Sequence, residues 1–188
     1  MLEIKTFGGI SILRDRVEIN DLGSRKAEAL LVYLAIEGGQ HPRTILAAMF
    51  WPESSQEQAS RSLRVVLSTL RKTFNAYLEI NRTSAGINNV ASIQVDVLEL
   101  EEKLSRNQID HALELYRGDF LDGFCIPDSL AFEDWRLLEQ ERIRRLITEA
   151  LHATISINLK KGETTTGLEL SQHLLRLDPL MNSHTNNA

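Results

Sequence analysis

The chain has 188 residues, 43% of them hydrophobic and 25% charged, which is the make-up of an ordinary globular protein with one large domain or two small ones. It contains no apolar run of membrane-spanning length, Met1-Leu-Glu-Ile-Lys5 does not read as a secretory leader, and the single Cys125 excludes an internal disulfide; the expectation is a cytoplasmic protein with no membrane partner. The net charge of −5 is unevenly divided: residues 1–95 hold 11 Lys+Arg against 9 Asp+Glu, while residues 96–188 hold 10 against 17, so the first half is the one suited to an anionic partner.

Leu2-Glu-Ile-Lys-Thr-Phe7 alternates apolar and polar side chains before Gly8-Gly9, and Ile10–Leu13 and Val17–Ile19 follow around Arg14-Asp15-Arg16. Short alternating runs separated by turn residues predict small antiparallel strands. Ser24 is placed to cap a helix over 25–37, whose apolar side is Ala27, Leu30, Leu31, Leu34 and Ala35 and whose stop is Gly38-Gly39. His41-Pro42-Arg43 is long enough only for a bridging strand, and Thr44 reads as the cap of a short helix reaching Met49 or Phe50 and ended by Trp51-Pro52.

The segment Ser55–Phe74 has no Gly and no Pro, and its apolar residues Ala59, Leu63, Val66, Leu67, Leu70 and Phe74 are spaced by three or four. At about 100° per residue these six share one arc of a helix. The other side carries Arg61, Arg64, Ser68, Arg71 and Lys72, with Glu57 as the one diluting acid. One face is built for burial, and the other for negative charge. Arginines on such a face neutralise phosphates and grip guanine O6 and N7 with both arms of the fork. A solvated basic face, or one docked on an acidic part of the same chain, is the bland alternative.

After Phe74, Tyr77–Ile80, a Gly-bearing turn over Asn81–Gly86, Ile87 and then Ser92–Val95 predict two strands around a turn with Arg82 near its tip. A strand meander, three helices and a terminal hairpin together make a winged helix-turn-helix, with the Ser55–Phe74 helix as the reading element. Arg43, Thr44, Arg82 and Thr83 are the additional candidates for phosphate contacts, which position a protein without reading sequence.

The second half reads as all-α. Asp96 heads a helix to Leu104, Ile109–Tyr116 forms a short one, and residues 117–127 make an irregular loop with two glycines and a proline. A long helix starts near Ser129, capped by Asp128 or Ser129, with Phe132, Trp135, Leu138, Ile143, Leu146, Ile147, Ala150 and Leu151 inward, and runs as far as Lys161 before Gly162 breaks it. Leu168–Leu177 is a further predicted helix, closed by Asp178-Pro179, and residues 181–188 are a polar tail. No cofactor and no metal are expected: His41, His111, His152, His173 and His184 lack ligand spacing, and there is neither a phosphate-cradling glycine loop nor a nucleophile elbow. The chain is therefore not read as an enzyme.

Ile45-Leu-Ala-Ala-Met-Phe-Trp-Pro52, Ala59-Ser-Arg-Ser-Leu63 and Leu67-Ser-Thr-Leu-Arg-Lys72 resemble the DNA-binding domain of the SARP-type bacterial transcriptional activators, with Phe50 where Leu is usual, Lys72 where Arg is common, and a wing segment without the usual Gly-Tyr pair. Leu115-Tyr-Arg-Gly-Asp-Phe-Leu-Asp-Gly123, Trp135 and Glu141-Arg142 are similar to the bacterial transcriptional activator domain that follows in that family, so the resemblance spans nearly all of residues 1–180. The helical succession is also like a tetratricopeptide array: Leu151, Ile155, Gly167, Leu174 and Pro179 fall at fitting spacings, and Asn158 and Ser171 stand where larger residues are usual.

The resemblance implies an α+β winged helix-turn-helix over 1–95, with small antiparallel sheets, and an all-α tetratricopeptide-like helical domain over 96–180. The function it implies is sequence-specific, activating DNA-binding regulation with double-stranded DNA as partner and RNA polymerase or a second protomer, in a homodimer, as protein partners. The rival expectation is an adaptor or autoinhibitory module, at the front of a larger signalling protein, whose winged helix does not touch DNA.

Overall fold

The computed structural model describes residues 1–88 and 90–161. Two small sheets and six α-helices make up this part. The chain runs β1 (Leu2–Lys5), β2 (Ser11–Arg14), β3 (Val17–Glu18), α1 (Arg25–Glu37), β4 (Gln40–Pro42), α2 (Arg43–Phe50), α3 (Gln56–Phe74), a 3₁₀ turn (Asn75–Tyr77), β5 (Leu78–Ile80), β6 (Ser84–Ile87), β7 (Ile93–Val95), α4 (Asp96–Ser105), α5 (Ile109–Leu115) and α6 (Leu130–Lys161). The expected helix over 168–177, its Asp178-Pro179 stop, the repeat positions Gly167, Ser171, Leu174 and Pro179, the break at Gly162 and the tail over 181–188 lie outside the described residues.

The first sheet has the order β3-β2-β1-β7, and the second β4-β6-β5. The strand Ile93–Val95 is therefore not the second arm of the hairpin expected after α3: it runs parallel to β1, with Ile4 opposite Val95. That hairpin is made by β5 and β6, with Ile80 opposite Ala85, and its turn is Asn81–Thr83 rather than Asn81–Gly86. Ala85 and Gly86 are buried strand residues. A methyl group on Gly86 would overlap the Gly39 carbonyl oxygen of the adjoining β4 segment. Gly86→Ala is expected to destabilise the protein by roughly 1–3 kcal/mol, the usual penalty for overpacking, readable as a lowered urea midpoint.

Local signals set two of the helix starts. The Ser24 side chain accepts the Ala27 N–H at the head of α1, and Ser55 accepts the Gln58 N–H at the head of α3. Four further residues at expected helix starts, Thr44, Asp96, Asp128 and Ser129, are used differently. Helix α2 begins at Arg43 behind Pro42 with no side-chain cap, so Thr44 lies inside its first turn. Asp96 is the first residue of α4, and its carboxylate accepts the N–H groups of Thr6 (2.7 Å) and Phe7 (3.0 Å) and the Thr6 hydroxyl (2.6 Å), pinning the end of β1. The Ser129 hydroxyl donates to the Met49 carbonyl (2.7 Å), and Asp128 pairs with Lys26 (2.7 Å).

These contacts join the two halves of the chain, and the buried side chains form one cluster running from Leu2 to Leu151. Phe132, fully buried at the start of α6, lies 5.4 Å from the rings of both Phe50 and Trp135. Trp135 also meets Tyr33 of α1 and donates its indole N–H to Glu37 (2.7 Å). The loop 117–127 extends this seam: Phe120 bridges to Phe7 and Gly9, and Leu121 N–H donates to Thr6 O (2.7 Å). A side chain on Gly118 (φ +154) would meet the Gly8 backbone. Asp119 accepts the Tyr116 hydroxyl (2.6 Å) and is paired with Arg144, which fastens the loop to α6. Of the eight side chains expected inward on α6, Leu138 is instead 71% exposed. Among the described residues no helix is long and apolar enough to cross a membrane.

Candidate nucleic-acid interface

Helix α3 spans 19 residues, about 28 Å at 1.5 Å per residue. All six of its predicted inward residues, Ala59, Leu63, Val66, Leu67, Leu70 and Phe74, are buried, and Leu70 and Phe74 are completely covered. Each of the five larger side chains contributes about 1.5–3 kcal/mol when fully removed from water, so burial fixes the rotation of the helix about its own axis. The polar side is thereby turned outward, and Arg61, Arg64, Ser68, Arg71 and Lys72 are all exposed. Arg14 of β2 secures the far end by donating from Nη1 to the Thr73 carbonyl (2.7 Å).

The outward arginines are not equivalent. Arg61 pairs with Glu57 one turn earlier (3.1 Å), with both partners more than two-thirds exposed, an interaction of small energy that a stronger anion displaces. Arg71 donates from Nη2 to the Ile80 carbonyl (2.9 Å), which aims it along the hairpin. Arg64 has no ion-pair partner among the described residues, and the same holds for Arg43, Arg71, Lys72 and Arg82. Among the described residues no carboxylate of the second half pairs with Arg61, Arg64, Arg71 or Lys72.

The structure draws five of the nine predicted site residues into one place. Arg43, Thr44, Arg64, Arg82 and Thr83 line a groove of about 490 Å³ between the head of α2, the flank of α3 and the tip of the β5–β6 hairpin. The hairpin tip is a built turn: the Asn81 side-chain oxygen accepts the N–H groups of Thr83 (2.9 Å) and Ser84 (2.9 Å) and the Thr83 hydroxyl (3.1 Å), presenting Arg82 at its apex. Arg43 ties α2 to this turn twice, by its backbone N–H to Thr83 O (2.8 Å) and by Nη1 to Asn81 O (3.2 Å). The remaining four, Arg61, Ser68, Arg71 and Lys72, continue the exposed strip along α3.

The guanidinium of Arg43 is held below its ordinary pKa, first by partial burial and then by the positive charge of Arg64. Two cations therefore share the groove with no carboxylate between them among the described residues, an arrangement that an entering anion relieves. Ser60, four residues before Arg64, lines the same groove and adds a hydroxyl; its helical spacing from Arg64 is the signal that would have identified it. Among the described residues no cluster of His, Cys, Asp and Glu has the make-up of a metal site, and Cys125 is an exposed loop thiol.

No protein-family model matches the sequence, and no curated protein matches it by sequence. In three dimensions the chain is similar to Mycobacterium tuberculosis EmbR, solved in complex with a low affinity phosphopeptide, with a TM-score of 0.59 at 17% identity. The superposition covers 94% of this chain and 54% of that one, so the chain spans about half the length of this neighbour and shares its fold.

Proposed function

We propose that the chain is a sequence-specific DNA-binding transcriptional regulator of the SARP type, with a winged helix-turn-helix over 1–95 followed by a helical domain over 96–180. Helix α3 enters the major groove and presents Arg61, Arg64, Ser68, Arg71 and Lys72 to base edges and phosphates. The β5–β6 hairpin acts as the wing: Arg82 and Thr83, with Arg43 and Thr44, hold the flanking backbone. The observation that carries this reading is the meeting of Arg43, Arg64 and Arg82 around a groove that no acidic side chain lines among the described residues. The fold shared with EmbR and the resemblance of residues 45–72 and 115–142 to the SARP family add support.

The acidic second half stays off the DNA in this reading and serves as the surface for RNA polymerase or a second protomer, with the protein acting in the cytoplasm as an activator. No catalytic step is assigned to it. Fluorescence anisotropy with a random-sequence duplex tests the reading. Affinity is expected to fall steeply between 50 and 200 mM salt, by roughly a thousandfold or more if six or so phosphates are engaged. An adaptor with a vestigial winged helix would bind weakly at every salt concentration.

A further inference from the structure

Seven apolar side chains lie on α3, and six are buried; the seventh, Val65, is 63% exposed. It stands at the middle of the helix, between Arg61 four residues before and Ser68 three residues after, on the flank of the strip away from the Arg43–Arg64 groove. An exposed valine costs a helix a few tenths of a kcal/mol relative to alanine, and here no burial against the rest of the protein offsets it. Nearby Thr69 is half-buried, and its hydroxyl turns back to the Val65 carbonyl (3.3 Å), leaving Val65 as the apolar group on the outward side.

We infer that Val65 reads the 5-methyl group of thymine in the major groove, an inference that rests on the DNA-binding reading of α3. Apart from the small C5–H of cytosine, the other features of the major-groove edge are hydrogen-bond donors and acceptors, and the thymine methyl is its one apolar group of any size. A β-branched side chain meets that mark with a nearly fixed rotamer and so loses little entropy on contact. When Arg61 and Arg64 reach base edges, the flank carrying Val65 lies inside the same groove, about 12 Å wide, and faces the neighbouring bases. The target therefore carries a thymine beside the arginine-contacted base pairs.

Selection of bound duplexes from a random library with the 188-residue chain supplies a preferred site, in which each thymine is replaced singly by uracil. That change deletes the methyl and leaves both hydrogen-bonding edges intact. Wild-type protein is expected to lose about fourfold in affinity at one or two of these positions, the equivalent of roughly 0.8 kcal/mol for one buried methyl, and Val65→Ala to lose nothing there. Val65→Ala is expected to melt at or slightly above the wild-type temperature, because the side chain is 63% exposed and alanine suits a helix better, so its binding is read on folded protein. The inference is overturned if wild type ignores every uracil, if the variant responds as wild type does, or if selection yields binding without a preferred site. Failure of wild type to bind any duplex overturns the DNA-binding reading itself, and this inference with it.

Discussion

Arg64→Ala is expected to weaken duplex binding about tenfold to a hundredfold, the equivalent of roughly 1–3 kcal/mol, while leaving thermal stability unchanged or slightly raised. Both halves of this expectation come from the same geometry. The Arg64 guanidinium has no ion-pair partner among the described residues and faces Arg43, so its removal breaks nothing in the fold and eases a repulsion. It stands at the seam between α3 and the hairpin, and on the proposed DNA-binding reading a base edge and a phosphate would both come within the reach of this long side chain. Arg61→Ala provides a graded comparison, because its guanidinium is already shared with Glu57. Anisotropy titrations beside thermal melts separate the two effects: loss of affinity with an unchanged melting temperature is the expected pair.

The second large effect concerns the core. Phe132→Ala is expected to destabilise the protein by about 3–5 kcal/mol, a large fraction of the 5–15 kcal/mol typical of a whole domain. Phe132 is 0% exposed and touches the rings of Phe50, Phe124 and Trp135, so its deletion leaves a cavity shared by α2, the 117–127 loop and α6. Because α2 packs on α3, the loss reaches the basic face as well as the helical half. Urea unfolding followed by far-ultraviolet circular dichroism and by fluorescence of Trp51 and Trp135 should show one coincident transition in both proteins, shifted to lower urea in the variant. Two separated transitions, with only the later helices destabilised, would contradict a core continuous across the halves.

What the sequence disclosed follows from the range of the interactions involved. The inward side of α3 was legible to the residue, because a 3.6-residue period with a sharp polar boundary has one solution, and Ser24 caps α1 through a bond only three residues long; Ser55, read as the first residue of α3, makes the same short bond from just outside it. Asp96, Asp128 and Ser129 carry the same local signature, yet Thr6, Lys26 and Met49 claim their side chains across 80 or more residues, which no local rule anticipates. Strand β7 has only three residues, and its parallel partner β1 is about ninety residues away, so it was paired with the nearer hairpin. Leu137 and Leu138 are both exposed, at 52% and 71%, on a helix whose apolar residues are spread widely around its axis, so periodicity alone did not show that neither faces inward.

The site itself was half legible. Its residue types were apparent from the charge pattern, but the meeting of Arg43 with Arg82 depends on β4 pairing with β6, and that pairing brings Pro42 opposite Ser84. Only the folded chain shows that the hairpin turn, the head of α2 and the flank of α3 share one groove. Asn81 escaped notice for the same reason: its side chain builds the turn that holds Arg82 outward, and as a bare sequence letter it was simply a loop residue.

The most direct measurement is the slope of log affinity against log salt for wild type and for Arg43→Ala/Arg64→Ala/Arg82→Ala on one duplex. Each phosphate contact removed lowers the slope by about 0.9, so the triple variant is expected to be shallower by roughly 2–3 while it melts at the wild-type temperature or within a few degrees of it. Equal slopes in the two proteins, or a wild-type slope near zero, would mean that this groove does not meet the DNA backbone.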